Sequence, residues 1–198
     1  MTITELYQQL SDKKFQDPAT GNLFSNAYMY IYDPEKEYSV RKEIEDIKDR
    51  LVRPNNFIDV LILDIFDEFC DYLKNKKFGN HVMFDFLLEK EKEDPKKVTD
   101  SLIREAKNDE FFVHIDNKIK DHFNNENEFE KVYVLIHGFG QIYPYLRTSK
   151  FLNKFERFFI GEAYKMILFF PGEVNDNYSL FNLLNDENPY RAIKLINQ

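Results

Sequence analysis

Short apolar runs along the chain predict β-strands. The run Ala27–Tyr32 is rich in aromatic and β-branched residues, and Asp33-Pro34 ends it. The run Ile58–Leu63 is interrupted only by Asp59, which is the pattern of a strand covered on both faces. Three further strands are predicted at residues 132–136, 165–170 and 192–196.

Apolar residues at helical spacing lie between these strands. Ile3, Leu6 and Leu10 predict an opening helix, and a second helix is expected to begin with Ser39 as its cap. Asp64 is expected to cap the helix that follows the strand at 58–63. The apolar stripe of the helix after Ser39 consists of Val40, Ile44, Ile47 and Leu51.

The middle of the chain is richer in charge and has a helical period from about residue 80 to 125. Asp94-Pro95 is a cap followed by proline at the first helical position, and Phe112, Ile115 and Ile119 form another stripe. Because helices follow one another here without an intervening strand, the stretch 80–125 is predicted to be a helical insertion.

Strands and helices alternate at both ends of the chain, which predicts an α/β fold. The simplest arrangement is a mostly parallel sheet with helices on both faces, Rossmann-like but without a P-loop. A chain of 198 residues has the size of one ordinary domain. We therefore expect residues 1–198 to form a single domain that includes the insertion.

Charge argues against direct binding of nucleic acid. The chain has 27 basic and 35 acidic residues, a formal net charge of -8, so its summed field repels phosphate backbones. Lysine-rich stretches at 74–77 and 96–97 are short and have acidic neighbours, which is typical of solvated helix faces. Any contact with DNA is expected to be indirect.

Cys70 is the only cysteine, so the chain can form no internal disulfide and has no CxxC metal motif. The N-terminus lacks a basic segment followed by an apolar run, and no apolar stretch approaches the roughly 20 residues that span a bilayer. The sequence therefore predicts a cytoplasmic protein without a membrane partner.

Candidate chemistry is expected where the strands end, because ligands of open parallel sheets bind at the carboxyl ends of the strands. Asp33, Asp64, His137 and Glu173 follow predicted strands. They could serve a nucleotide- or metal-dependent enzyme. The alternatives are that the carboxylates cap helices and that His137 is a hydrogen-bonded core residue, and these are favoured.

Motifs for known chemistry are missing from the sequence. No GxxxxGK[ST] or GxSxG occurs, and Gly138-Phe139-Gly140 lacks the third glycine of the dinucleotide fingerprint. The glycine pair is therefore interpreted as a turn where backbones approach closely. No catalytic, cofactor-binding or metal-binding residue is assigned, and no cofactor is expected.

A possible partner or ligand site lies around the glycine turns. Arg147 could grip a phosphate or a partner carboxylate, or it could form a surface salt bridge, and both interpretations stay open. Tyr143, Tyr145 and Tyr178 are expected to be exposed aromatic anchors. The residues of the candidate site are Gly138, Gly140, Tyr143, Tyr145, Arg147, Gly172 and Glu173.

The C-terminal third resembles the BrxB family in the order and spacing of its motifs. The strand at 132–136 runs into the Gly138-Phe-Gly140 turn and the segment Tyr143-Pro-Tyr-Leu-Arg147. A second strand ends in Pro171-Gly172, and Ser179–Phe181 and Asn188–Ala192 follow. The resemblance covers about residues 130–196, and it is weak through the helical middle.

BrxB proteins are small components of BREX systems, which restrict phage and mark host DNA by methylation. The resemblance implies work beside a PglZ-like protein, a large ATPase and a DNA methyltransferase, and it implies no catalytic activity. We therefore expect a non-catalytic assembly component that binds other BREX proteins. An enzyme using the strand-end residues and a direct DNA-binding accessory are the alternative hypotheses.

Overall fold

A computed structural model describes residues 2–17, 27–52, 56–159, 164–174, 178–181, 183–185 and 193–194. The predicted strands at 27–32, 58–63, 132–136 and 165–170 are confirmed, and residues 193–194 of the predicted last strand are also extended. The strands are β1 Ala27–Tyr32, β2 Ile58–Asp64, β3 Lys77–Phe78, β4 His81–Val82, β5 Glu130–His137, β6 Lys165–Val174, β7 Tyr178–Leu180, β8 Leu184–Asn185 and β9 Ile193–Lys194.

The main sheet has the strand order β2-β5-β6-β1-β9, and all neighbours along this path are parallel. The predicted parallel sheet is therefore confirmed. Parallel pairing brings the ends of β2 and β5 level, with Asp64 beside His137, and it places Tyr32 at the end of β1 beside Pro171 of β6. These four residues mark the carboxyl edge of the sheet.

Helices connect the strands and cover both faces of the sheet. The predicted opening helix and the helical period of the middle are confirmed. The helices are α1 Ile3–Ser11, α2 Lys13–Gln16, α3 Glu37–Val52, α4 Ile65–Asn75, α5 Met83–Glu91, α6 Pro95–Ala106, α7 Asp109–Asn124, α8 Phe139–Ile142 and α9 Thr148–Phe159.

Two of the three predicted helix caps are confirmed. The Asp64 carboxylate accepts hydrogen bonds from the Phe66 and Asp67 amides at the start of α4, and Asp94 accepts one from the Lys97 amide. The prediction for Ser39 is wrong, because α3 begins at Glu37 after a 3-10 turn that Asp33 caps. Asp33 caps the 3-10 turn that leads directly into α3, so the chain is already helical at Ser39.

On one face of the sheet, α1 and α3 pack against the strands and form what we call the α3-side core. The predicted stripe of α3 is buried, as are Leu6 and Leu10 of α1. The Tyr133 hydroxyl donates a hydrogen bond to the Leu10 carbonyl over 3.0 Å and ties α1 to β5. The N-terminal helix is therefore part of the fold.

The opposite face carries the α4-side core, which the middle helices share with the sheet. Phe112, Ile115 and Ile119 of α7 belong to the same buried cluster as Val134 and Ile136 of β5. Residues of α5, α6, α8 and α9 complete this cluster. The stretch predicted as an insertion thus supplies a large part of the apolar cover on this face.

The end of β6 differs from the prediction. Pro171-Gly172-Glu173 was predicted to end this strand, but β6 continues to Val174. Residues Gly172–Val174 pair antiparallel with β7, which in turn pairs with β8. The extension exists because a later segment supplies the hydrogen-bonding partner, which a local pattern does not show.

Some sequence predictions lie outside the described residues. They include the Asn188–Ala192 motif, residues 195 and 196 of the last predicted strand, and the side chain of Tyr178. Among the described helices, a search for a segment long and apolar enough to cross a bilayer finds none.

Candidate functional site

Asp64 and His137 meet at the carboxyl edge of the sheet. They end the neighbouring strands β2 and β5, and His137 Nδ1 lies 3.3 Å from Asp64 Oδ2. Each side chain is only 12% exposed. Two strand-end residues that the sequence singled out are therefore brought together in a largely dehydrated position.

Helix α3 adds an arginine and a glutamate to this pair. Arg41 Nη2 lies 3.6 Å from Asp64 Oδ2, and Arg41 Nε donates to Glu37 Oε1 over 2.9 Å. Arg41 also donates to the Gln141 side-chain oxygen of α8, and the Tyr32 hydroxyl donates to Glu37. We call Tyr32, Glu37, Arg41, Asp64, His137 and Gln141 the edge network.

Burial is the main cause of the pKa shifts of His137 and Tyr32 in the edge network. It lowers the pKa of His137, an effect that the Arg41 charge reinforces and that the Asp64 carboxylate opposes. Burial and the adjacent Glu37 carboxylate raise the pKa of Tyr32. At neutral pH the network therefore holds a neutral imidazole and a protonated phenol.

Asp64 and His137 are in close polar contact, but the neutral imidazole forms no ion pair with the carboxylate. No described residue offers His137 Nδ1 a well-aligned hydrogen bond, although Asp64 Oδ2 lies within 3.3 Å. Asp64 Oδ1 is already engaged with the first amides of α4. The carboxylate thus joins a helix cap, an arginine and a histidine, so the favoured interpretation of Asp64 as a cap is confirmed.

Gly138 follows His137 and packs directly on this carboxylate. Its φ of +85° lies in the left-handed region, and an added Cβ would overlap Asp64 Oδ1 and lie 2.9 Å from Asp64 Cγ. Glycine is the residue that accepts both the backbone conformation and the close approach. The interpretation of this motif as a close-packed turn is therefore confirmed.

The other two glycines of the candidate site are also points of close packing. A Cβ on Gly140 would lie 2.8 Å from the Phe181 ring and 3.3 Å from Pro171. A Cβ on Gly172 would overlap the Ser179 carbonyl and lie 2.8 Å from the Phe170 ring. The β7–β8 hairpin is thereby held against the turn that follows β5.

The tyrosines of the candidate site are less exposed than predicted. Tyr143 and Tyr145 are half-buried and pack against the α4-side core, where the Tyr145 ring lies 6.5 Å from that of Phe69. The prediction that these two side chains are exposed is wrong, because the loop after α8 folds back onto α4, while their role as partner anchors stays a prediction. Arg147 is exposed and has contacts of its own.

The remaining strand-end carboxylates do not join the edge network. Asp33 is exposed and accepts a hydrogen bond from the Glu35 amide, and Glu173 is exposed on the extension of β6. Within the described part of the chain, no group of three or more His, Cys, Asp or Glu side chains is placed to hold a metal ion.

Sequence reasoning missed Tyr32, Glu37, Arg41 and Gln141. Glu37 and Arg41 are spaced i, i+4 on a helix, a pattern that usually marks a solvated ion pair. The sequence did indicate that Glu37 and Arg41 lie in the first turns of a helix that closely follows the strand at 27–32. Such residues lie at the carboxyl edge of a parallel sheet.

A second charged cluster, also missed, joins α4 to α6 and α7 away from the sheet edge. Lys76 Nζ lies 2.7 Å from both Glu105 Oε2 and Glu110 Oε2 and 2.8 Å from the Tyr72 hydroxyl. Although burial opposes its charge, the hydrogen bonds to Glu105 and Glu110 raise the pKa of Lys76. We call Tyr72, Lys76, Glu105 and Glu110 the helix junction.

Comparison with protein families gives a match to this chain. The family described as BREX protein BrxB matches residues 61–195, which is more than half of the chain. The match begins in β2 and includes the helical middle, so it extends beyond the C-terminal third that carried the resemblance in the sequence. Comparison with curated proteins found no match, and comparison with solved structures found none.

Proposed function

This chain belongs to the BrxB family of BREX proteins and is therefore a component of a BREX phage-defence system, and on that basis we propose that it is a non-catalytic assembly component. In this role it binds other BREX proteins and holds them in position. The fold contributes a rigid α/β platform with helices packed on both faces of a parallel sheet.

The edge network is the observation that carries the proposal. An enzyme with this fold would be expected to direct polar side chains at a ligand from the carboxyl ends of the strands. In this chain Asp64 is engaged by α4 amides, Arg41 and His137, and Arg41 is engaged by Glu37 and Gln141. These contacts join α3, α4 and α8 to the sheet. The polar side chains at this edge are therefore used to hold the helices in place, which supports a structural role.

The candidate partners are the PglZ-like protein, the large ATPase and the methyltransferase of the same system. Contact with DNA goes through these partners, because a formal net charge of -8 disfavours direct binding to a phosphate backbone. Direct binding would instead weaken steeply as the salt concentration rises.

Co-purification tests the assembly role. The chain carrying an affinity tag is expressed with each candidate partner in turn and isolated at mild salt. We expect a stable complex of fixed stoichiometry with at least one of the three proteins. Failure to bind any of them, with the chain shown to be folded, would contradict the assembly role.

Replacing His137 separates assembly from catalysis. His137→Asn keeps a polar atom near the position of Nδ1 but removes acid–base chemistry at neutral pH. An assembly role predicts that phage defence in cells is retained, whereas a catalytic role predicts its loss. His114→Asn is the matched control, because His114 is another half-buried histidine beside a carboxylate, Glu68, away from this edge.

A further inference from the structure

Helix α9 begins directly after an arginine. The Phe151 amide donates to the Arg147 carbonyl over 3.0 Å, and this bond marks the start of the helix. The amides of Thr148, Ser149 and Lys150 therefore precede the helical hydrogen bonds and need acceptors from outside the helix. A guanidinium group has no acceptor atom, so the Arg147 side chain cannot cap these amides as an aspartate would.

Ser149 lies in this first turn and is buried. It is only 1% exposed, and its neighbour Thr148 is 3% exposed. The Ser149 hydroxyl has no hydrogen-bond partner among the described residues. Because Cα–Cβ bonds tilt toward the N-terminus of a helix, this hydroxyl lies on the side of the first amides. Buried polar groups normally have partners, so the hydroxyl and the amides together indicate a place for an acceptor.

The start of α9 lies at the carboxyl edge of the sheet. Helix α9 belongs to the crossover between the parallel neighbours β5 and β6, so it runs back from the carboxyl ends of the strands toward their amino ends. Its N-terminus is therefore at the edge where ligands of open parallel sheets bind. Free amides and the helix dipole at such a position favour an anion.

The stretch of chain around this helix start carries only positive charge. Residues 138–155 include three cations, Arg147, Lys150 and Lys154, and contain no aspartate or glutamate. Arg147 and Lys150 are exposed on either side of the buried first turn, so the helix start borders solvent. Arg147 has contacts of its own and is counted here for its charge alone.

The acidic side chains near this stretch have partners elsewhere. Asp109 pairs with Lys154 and Arg157 in the later turns of α9. Glu156, also in a later turn, has contacts of its own, and Asp64, which packs on the turn after β5, faces the arginine of the edge network. The first turn of α9 therefore keeps its positive charge in a chain whose net charge is -8.

From these features we propose that the start of α9 binds a phosphate group. The amides of Thr148, Ser149 and Lys150 and the Ser149 hydroxyl donate to its oxygens, and Arg147 and Lys150 add positive charge beside it. The phosphate takes the place that the Asp64 carboxylate has at the start of α4. Free phosphate and the phosphate of a nucleotide share this chemistry. The site is separate from the proposed assembly role and involves no reaction.

Titration of the full chain with inorganic phosphate tests the site. The chain is isotopically labelled for NMR and titrated in a chloride buffer at constant ionic strength. We expect saturable binding of one phosphate per chain with a Kd below about 1 mM. The amide signals of Thr148, Ser149 and Lys150 should be among those that shift most. Binding that does not saturate, or shifts confined to other parts of the chain, would overturn the proposal.

A double variant removes two of the groups that hold the phosphate. Ser149→Ala with Lys150→Gln is expected to bind phosphate at least about tenfold more weakly, because a hydrogen bond to a charged group and a nearby cation are lost. Ser101→Ala with Lys96→Gln is the matched control in α6, whose start Asp94 caps. The control should bind within about twofold of wild type. Equal affinities of the two double variants would show that phosphate binds elsewhere.

Thermal unfolding without phosphate separates ligand binding from a structural use of Ser149. Ser149→Ala is expected to unfold at the wild-type temperature or slightly above it, because a buried hydroxyl without a partner is removed. A decrease in Tm of more than about 5 °C would show that the hydroxyl has a partner within the protein, and it would overturn the proposal.

Adenosine monophosphate identifies the source of the phosphate group. It is titrated under the same conditions, and the same three amide signals are followed. Tighter binding than that of inorganic phosphate assigns the site to a nucleotide, whereas equal or weaker binding assigns it to free phosphate. Either result supports the site when the signals of the first turn of α9 shift.

Discussion

At the scale of single residues, Asp64 connects more parts of the carboxyl edge than any other side chain discussed above. One carboxylate oxygen accepts hydrogen bonds from amides of α4, and the other faces Arg41 and His137. Gly138 leaves room for this arrangement, because any side chain there would occupy the space of the carboxylate. Packing against Asp64 and Phe181 thus explains the glycines at positions 138 and 140.

Replacing Gly138 with alanine tests this explanation. The added Cβ meets Asp64 in a backbone conformation that alanine rarely adopts. We expect Gly138→Ala to lower the free energy of unfolding by about 2 to 4 kcal/mol, measured by urea denaturation. Gly79→Ala is the control, because Gly79 also has a positive φ but has no atom within 4 Å of an added Cβ.

The control should lower the free energy of unfolding by only about 1 kcal/mol, the cost of the left-handed backbone conformation. Equal effects of the two substitutions would show that the contact with Asp64 adds nothing.

The histidine of the edge network makes stability depend on pH. Burial lowers the pKa of His137 in the folded protein, and the same cause lowers that of His122. An unfolded chain with histidine pKa values near 6.5 therefore binds more protons than the folded chain just below that pH. Stability should be full above about pH 6.5 and should decrease as the pH falls through the folded-state pKa values.

We expect His137→Asn to reduce the slope of unfolding free energy against pH between about pH 5 and 7. His122→Asn should remove another part of the slope, and the double variant should remove more than either one. Urea denaturation at a series of pH values measures the slopes. An unchanged slope in His137→Asn would show that this histidine has the same proton affinity in both states.

At the scale of structural elements, the helix junction determines how the middle helices attach to α4. Lys76 extends from the end of α4 and contacts Glu105 near the end of α6 and Glu110 at the start of α7. One lysine thereby fixes the turn between two helices. The side chain of Glu105 is only 8% exposed, so Lys76 supplies an ionic partner to a carboxylate that has little contact with water.

Removing the lysine leaves the Glu105 carboxylate without an ionic partner, although the Tyr72 hydroxyl still donates a hydrogen bond to it over 3.0 Å. We expect Lys76→Met to lower the free energy of unfolding by about 2 kcal/mol, less than for a fully buried pair because Lys76 retains some contact with water. The side chain of Lys97 is 84% exposed and pairs with Asp94, so Lys97→Met is a matched control. Urea denaturation should find the control close to wild type, and equal losses in the two variants would contradict a special role for the junction.

At the scale of the whole molecule, the sheet separates two cores that depend on the same strands. Tyr133 and Leu135 of β5 face the α3-side core, while Val134 and Ile136 of the same strand face the α4-side core. Alternating side chains of one strand therefore belong to both layers. The middle helices have no apolar cluster separate from the sheet among the described residues.

This arrangement predicts one cooperative unfolding transition for residues 1–198. Far-UV circular dichroism reports mainly on the helices, and near-UV circular dichroism reports on the tyrosines, several of which lie in β1 and β5. We expect both signals to give the same midpoint in urea. Loss of the helical signal before the tyrosine signal would show that the middle helices unfold as a separate unit.

The sequence by itself determined the elements and part of the site. The strands at 27–32 and 132–136, the stripe of α3 and the caps Asp64 and Asp94 depend on neighbours within a few residues, so a local pattern contains the information. The wrong prediction for Ser39 is also local in origin, because Asp33, a few residues earlier, caps the turn that leads into α3.

Only the tertiary structure decided which strand-end residues meet. Asp64 reaches His137 because β2 lies beside β5, and Arg41 joins them because α3 packs next to β2. Tyr143 and Tyr145 are covered by helices distant in sequence, whereas Tyr38 and Leu183 are left exposed. Strand order and helix packing join residues that are far apart along the chain, and no pattern of period two or 3.6 specifies those pairings.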